Sequence, residues 1–195
     1  MSAGLILAAG AGTRFGDAPK QLADLHGRPL LQWAVDAQNA VAADVLDPLV
    51  VVLGARASEI RAAVDFGRAT VVECPDWEAG QAASLRCGLG ALAGQSRIVV
   101  TLGDAPLITP AVIARFAAES DPARPTRAVY RGRPGHPVVL GPAQIAALAD
   151  VEGDRGARDR LHDARLIEVG DLCSGRDVDT PEDLEEVRNE ARAVI

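Results

Sequence analysis

The chain has 195 residues, of which 48% are hydrophobic and 24% charged, a composition typical of a globular protein. Its formal net charge of −7 argues against a general nucleic-acid surface and against an anionic-membrane surface. No apolar run approaches about 18 residues, so the sequence predicts no transmembrane helix and no membrane partner. Three cysteines without a CxxC motif indicate core packing, rather than a disulfide framework or a zinc site, and a reducing cytoplasm as the setting: Cys74, Cys87 and Cys173.

In the first half of the chain, short apolar runs alternate with helical patterns. The runs are continuous rather than alternating, which is typical of strands covered on both faces; they span residues 4–10, 48–54, 69–73 and 98–103. Helices are predicted over residues 29–43, from a cap at Ser58 to Val64, over 81–92, and after Thr109 with Pro110 in the first helical position. This alternation predicts βαβ units.

The second half is less regular. Residues 128–130 and 136–140 flank a turn rich in glycine and proline, so they predict an antiparallel strand pair, and 165–169 predict another strand. Thr180, Pro181 and the acids that follow predict a helix start. Together the elements predict a single domain over residues 1–195. We expect a three-layer α/β/α, Rossmann-like fold with a mostly parallel sheet, a small antiparallel part, and ligands at the carboxyl ends of the strands.

A glycine-rich loop follows the first predicted strand. Gly10 and Gly12 allow the backbone to approach a ligand, and free N–H groups in such a loop bind anions. Arg14 and Lys20 add positive charge, and Lys20 is the only lysine beside 19 arginines. The loop fits neither the Walker A motif nor the G-x-G-x-x-G dinucleotide motif. The pattern favours a polyphosphate ligand.

The string LAAGAGTRFGDAPKQ resembles the signature loop of nucleotidyltransferases, L-A-A-G-x-x-x-R-x-G-x(2,3)-K, which wraps the triphosphate of a nucleotide. The resemblance implies a three-layer nucleotidyltransferase fold, and catalytic roles for Lys20 and Arg14. It also implies nucleotide contacts from Leu7, Ala8, Ala9, Gly10, Gly12, Thr13, Arg14 and Lys20.

Two acidic segments are candidates for a metal site. Asp104 ends the fourth strand, where a carboxylate would project into the ligand crevice and suit Mg²⁺. The string Gly103-Asp104-x-Pro106 resembles the metal-binding G-D-x-P motif of the family, which implies a catalytic role for Asp104. The string D-V-D-T-P-E-D resembles a segment that supplies a second carboxylate, which implies Asp179, with Asp177 as the alternative.

Other strings narrow the resemblance. The segment 80–89 is similar to one that lies over the nucleotide in the family, which implies contacts from Gly80 and Ser84. The strings RPGHPV and GDRGAR resemble those of molybdenum cofactor cytidylyltransferases, and they imply an acceptor site with His136, Arg155 and Arg158 in the C-terminal half, opposite a nucleotide-binding N-terminal half. In that family, L-A-A-G in place of L-A-G-G accompanies CTP rather than GTP.

The resemblance implies transfer of CMP from CTP to the phosphate of molybdopterin, with release of pyrophosphate and a molybdenum hydroxylase as recipient of the product. A phosphate nucleophile is already anionic near neutral pH, so no general base is required. Three alternatives stay open. The first is another acceptor for CTP, such as an isoprenoid-precursor or sugar phosphate. The second is GTP with molybdopterin, and the third is a nucleotide-binding module without catalysis.

Overall fold

The computed structural model describes residues 1–16, 18–119, 124–149, 161 and 163–191. Its centre is a seven-stranded sheet in the order β5-β4-β1-β6-β8-β7-β9. These strands are β1 (Ser2–Ala8), β4 (Leu46–Leu53), β5 (Thr70–Glu73), β6 (Ile98–Leu102), β7 (Thr126–Tyr130), β8 (Arg133–Leu140) and β9 (Arg165–Glu168). A separate two-stranded hairpin, which sequence patterns did not indicate, consists of β2 (Asp24–Leu25) and β3 (Arg28–Pro29).

The sheet is mostly parallel, as predicted. Strand β1 pairs in parallel with β4 and β6, and β4 pairs in parallel with β5. Strand β8 is antiparallel to both β6 and β7, whereas β9 pairs in parallel with β7. The carboxyl ends of β1 and β6 therefore lie side by side, which brings the glycine loop next to Asp104.

Helices cover both faces of the sheet, which confirms the predicted three-layer α/β/α architecture. The helices are α1 (Leu30–Asn39), α2 (Ala57–Ala63), α3 (Gln81–Ala91), α4 (Pro110–Ala117), α5 (Pro142–Ala149) and α6 (Pro181–Ala191). Alternate residues of β1 enter different cores: Leu5 and Leu7 pack with Leu85 and Leu89 of α3, while Ile6 packs among residues of α1 and α2. Burial on both faces explains why the strand sequence is continuously apolar.

Two of the predicted helix caps are confirmed and one is wrong. The Thr109 side chain accepts a hydrogen bond from the Val112 N–H at 3.4 Å, and Thr180 Oγ1 accepts one from the Asp183 N–H at 3.2 Å. Ser58, in contrast, lies inside α2, because Arg56 occupies the N-cap position with a left-handed φ of 54°. No helix among the described residues is long and apolar enough to cross a membrane.

The prediction that all three cysteines only pack in the core is wrong for two of them. The structure joins Cys74, just after β5, to Cys87 in α3 by a disulfide with a Cα–Cα distance of 5.8 Å. The two sulfur atoms meet because α3 packs against the face of the sheet beside β4 and β5. Because two of the three cysteines are paired, they no longer support the prediction of a reducing cellular compartment. Cys173 is a half-buried free thiol.

Candidate active site

The loop after β1 is shaped by glycine at a position where no other residue fits. Gly12 has a left-handed φ of 62°, and a Cβ there would lie 2.8 Å from Cβ of Lys20. Gln21, which is buried, donates hydrogen bonds from Nε2 to the carbonyl oxygens of Ala8 at 3.0 Å and Gly10 at 2.8 Å. The first part of the loop is thus tied to the segment that carries Lys20. Gln21 stands in the recognised string, but the motif alone indicated no role for it.

Four charged side chains predicted from three separate motifs meet in one cluster. The Lys20 ammonium donates to Asp104 Oδ2 at 2.7 Å and to Asp179 Oδ1 at 3.0 Å. Arg14 lies at the edge, with its guanidinium 3.4 Å from Asp179 Oδ2 and its side chain 73% exposed. We name Arg14, Lys20, Asp104 and Asp179 the charge cluster.

Burial and charge act against each other in the charge cluster. Burial tends to lower the pKa of Lys20, but the Asp104 and Asp179 carboxylates outweigh it, so the pKa is raised. Burial raises the pKa of Asp104, and the charge of Lys20 opposes that shift. The second oxygen of Asp104, Oδ1, is buried with no hydrogen-bond partner in the part of the chain described. A carboxylate oxygen of this kind fits a divalent cation.

Asp179 reaches the cluster because the segment before α6 is fixed against β6. The Val178 N–H donates to the Asp104 carbonyl oxygen at 2.9 Å, and the Val178 side chain is fully buried beside Leu25 and Leu184. Next to this buried residue, the Asp179 side chain is half exposed and its Oδ1 lies 3.0 Å from Lys20 Nζ. Asp177, the alternative second ligand, lines the larger cavity described below and raises the pKa of Asp104 through its charge.

Asp183 supports Asp179 from the first turn of α6. Its Oδ2 accepts hydrogen bonds from the Asp179 N–H at 3.1 Å and from the Thr180 N–H and hydroxyl at 2.8 Å each. These bonds, that of the Thr180 hydroxyl first, lower the pKa of Asp183. Asp183 is thus a positioning residue for Asp179. The sequence motif predicted a helix start here but did not indicate this role.

A cavity of about 260 Å³ lies between the glycine loop and the start of α3. Asp104, the predicted metal ligand, lines it together with most of the predicted nucleotide residues: Leu7, Ala8, Ala9, Gly10, Gly12, Lys20, Gly80 and Ser84. Thr13 and Arg14 are not part of this lining. Trp77 and Glu78 line the cavity too, although no motif pointed to either of them.

A larger cavity of about 1050 Å³ adjoins the first one, and Asp104 lines both. It contains His136, predicted to bind the acceptor, and the arginines Arg127, Arg131, Arg133 and Arg176. Arg155 and Arg158, the other predicted acceptor residues, lie outside the described residues. Burial, with a smaller contribution from Arg127, lowers the pKa of His136 to about 4, so its ring is neutral near pH 7. His136 can therefore exchange hydrogen bonds with a ligand there but adds no positive charge.

Tyr130 connects the β7–β8 hairpin to the segment that carries Asp177 and Asp179. Its hydroxyl donates to the His136 carbonyl oxygen at 2.5 Å. A Cβ at Gly175 would lie 2.1 Å from Cε2 of Tyr130, so the ring occupies the space that this glycine leaves open. Burial, together with Cys173, raises the pKa of Tyr130. The wall of the larger cavity thus depends on close contact between two separate chain segments.

The comparisons with known proteins agree with this architecture. A family model described as "MobA-like NTP transferase domain" matches residues 4–169. The chain belongs to the MobA-like NTP transferase family. It is an enzyme of the nucleotidyltransferase class, and its recognised loop and G-D-x-P motif lie inside the matched region.

Two relatives match this MobA-like protein over nearly its whole length. It is 33% identical to nicotine blue oxidoreductase of Paenarthrobacter nicotinovorans over 193 residues, which cover 93% of each chain. The crystal structure of Rv0371c of Mycobacterium tuberculosis H37Rv matches with a TM-score of 0.81, 31% identity and 96% of each chain covered. A complex of Rv0371c with manganese matches with a TM-score of 0.78 and 29% identity, covering 96% of this chain and 97% of that one.

Proposed function

We propose that this protein transfers CMP from CTP to the phosphate of molybdopterin and releases pyrophosphate. One observation carries the proposal. The smaller cavity, which residues of the glycine loop line, and the larger cavity, which several arginines line, meet at Asp104. A nucleotide in the first would present its α-phosphorus toward an acceptor phosphate in the second. The N-terminal half would then bind the nucleotide and the C-terminal half the acceptor.

The charge cluster supplies what in-line phosphoryl-group chemistry needs. The acceptor phosphate is anionic near pH 7, so its oxygen attacks the α-phosphorus without a general base, and the bond to pyrophosphate breaks. Lys20 and Arg14 would bind the triphosphate and neutralise charge that develops on the leaving pyrophosphate. Positioning of the two phosphates accounts for much of the expected rate increase.

A divalent cation fits the same site. The unpartnered Asp104 Oδ1 and the half-exposed Asp179 offer carboxylate oxygens, the ligands that Mg²⁺ and Mn²⁺ prefer. The similar protein Rv0371c forms a complex with manganese, which supports this assignment. The described residues include no group of three His, Cys, Asp or Glu side chains that could hold a metal ion by themselves. Phosphate oxygens would therefore have to complete the coordination. When bound, the ion would offset negative charge on the triphosphate; we propose Mg²⁺.

The choice of CTP rests on the size of the smaller cavity, which we call the nucleotide cavity. Ala9 lines it and is 3% exposed, so its methyl group takes up space that glycine would leave. A narrower cavity favours a pyrimidine over a purine. The acceptor assignment rests on the resemblance of residues 133–138 and 153–158 together with Arg131 and Arg133 in the larger cavity. A molybdenum hydroxylase in the cytoplasm would receive the product.

The decisive experiment is mass spectrometry of products formed from CTP or GTP with a panel of phosphorylated acceptors. The panel contains molybdopterin, a methylerythritol phosphate and a sugar phosphate, with pyrophosphate release as a second readout. We expect a cytosine dinucleotide of molybdopterin, and its loss in Asp104→Asn. A product only with GTP, or only with another acceptor, would reassign the substrate within the same class.

One relative favours a second candidate. Nicotine blue oxidoreductase covers almost this whole chain, and its name describes redox chemistry. An oxidoreductase with this fold would hold the pyrophosphate of a reduced dinucleotide in the glycine loop. NADH and NADPH oxidation with nicotine blue as acceptor tests this candidate. Oxidation that continues in Asp104→Asn, without any pyrophosphate release, would favour it over transfer of CMP.

A further inference from the structure

The charge cluster places a cation where the proposed metal ion should bind. Lys20 Nζ lies between Asp104 Oδ2 and Asp179 Oδ1, at 2.7 and 3.0 Å. A divalent ion needs oxygen ligands at about 2.0–2.6 Å and would have to share these same two carboxylates. The ammonium and the metal ion therefore cannot both hold the space between Asp104 and Asp179.

Side chains already offset much of the negative charge around this point. Two carboxylates, Asp104 and Asp179, contact two cations, Lys20 and Arg14, while the charge of Asp177 acts on Asp104 from nearby. The Lys20 side chain is only 10% exposed, so water screens the contact between Lys20 and Asp104 weakly, whereas the contact between Arg14 and Asp179 is open to solvent. Adding a doubly charged ion while both cations stay would bring like charges together in a partly buried site, which is unfavourable.

Lys20 also has an alternative partner within reach. It lines the nucleotide cavity and follows the glycine loop that would carry the triphosphate. A triphosphate brings several negative charges to which a flexible ammonium can turn. Asp104 Oδ1 already lacks a partner among the described residues, so withdrawal of Lys20 would leave both oxygens of Asp104 available to a cation.

We propose that Lys20 is the internal counter-cation of the metal site, so that a divalent ion binds only weakly until the triphosphate draws Lys20 away from Asp104 and Asp179. The protein then binds metal together with nucleotide rather than before it. This inference rests on the metal site of the proposed function, but it does not depend on the acceptor.

The test measures Mn²⁺ binding by electron paramagnetic resonance, with and without CTP and with no acceptor present. For wild-type protein we expect weak Mn²⁺ binding alone and tight binding with CTP. Lys20→Met should bind Mn²⁺ alone about tenfold or more tightly than wild type. The gain should disappear in Lys20→Met/Asp104→Asn and be absent in Lys20→Arg, which keeps the charge.

A matched control removes a cation elsewhere. Arg165, at the start of the edge strand β9, pairs with Glu119 at 2.8 Å. Arg165→Met changes the net charge equally and should leave Mn²⁺ affinity unchanged. Circular dichroism verifies that each variant is folded.

Two results would overturn the proposal: equal or weaker Mn²⁺ affinity in folded Lys20→Met, or tight Mn²⁺ binding by nucleotide-free wild-type protein that requires Asp104. Either result leaves the proposed transferase intact if Asp104-dependent binding still occurs with CTP. Absence of that binding in wild type with CTP would instead refute the metal site of the proposed function.

Discussion

Gly54 leaves space that is occupied by the glycine loop after β1 and by the segment after β5 that carries Trp77. It stands after β4, and a Cβ there would lie 2.5 and 2.6 Å from Cβ and Cγ of Trp77 and 2.7 Å from the Ala9 carbonyl oxygen. That carbonyl accepts a hydrogen bond from the Ala55 N–H at 3.1 Å. Since Trp77 and Ala9 both line the nucleotide cavity, Gly54→Ala should push them apart and deform it.

The contacts set the size of the expected effect. Overpacking of this kind costs about 1–3 kcal/mol, while alanine in place of glycine returns about 0.4–1 kcal/mol through the unfolded chain. We therefore expect Gly54→Ala to lower the free energy of unfolding by about 0.5–2 kcal/mol in urea denaturation. Misplacement of the loop by about 1 Å should weaken CTP binding in calorimetry by about tenfold or more.

The matched control is Gly90→Ala in α3. Nothing lies within 4 Å of a Cβ at Gly90, so the substitution should stabilise the helix by up to about 1 kcal/mol and leave CTP affinity unchanged. If Gly54→Ala proved as stable as wild type and bound CTP equally well, the contact between Trp77, Gly54 and Ala9 would not shape the cavity, and the reasoning would be refuted.

Three further predictions follow from individual contacts. Because burial holds the folded pKa of His136 near 4, below its ordinary 6.5, this histidine favours folding above pH 6.5. As the pH falls toward 4, wild type should lose at most about 3 kcal/mol relative to His136→Asn in pH-dependent urea titrations; parallel curves would contradict this. Reduction of the Cys74–Cys87 disulfide should cost about 3 kcal/mol, as the short loop it closes implies, and weaken CTP binding because the cross-linked segment lines the nucleotide cavity. Thermal scans and calorimetry with and without dithiothreitol measure both effects, and Cys74→Ser/Cys87→Ser should show no response to the reductant. Asp183→Ala should cost about 1 kcal/mol through the lost cap and reduce turnover by freeing Asp179, whereas an unchanged turnover would mean that Asp179 needs no support.

The sequence by itself indicated the layers of the fold and the chemistry of the loop. Burial on both faces imposes a continuous apolar pattern on parallel strands, so β1, β4, β5 and β6 were predicted within a few residues. Gly12 and Lys20 stand at short, regular spacings after β1, and such local motifs survive in a linear sequence. The second acid at Asp179 was predicted only through its resemblance to a family segment.

Tertiary structure alone decided which of these groups meet. Asp179 lies 159 positions from Lys20, and it reaches the cluster because Val178 is buried and bonded to Asp104. Cys74 and Cys87 pair because α3 packs across β5, a contact that their spacing did not reveal. Pairing between distant segments depends on which side chains the packed core turns outward, and that is a property of the assembled layers rather than of any local pattern. The charge cluster, with a lysine between two carboxylates, is a product of that packing.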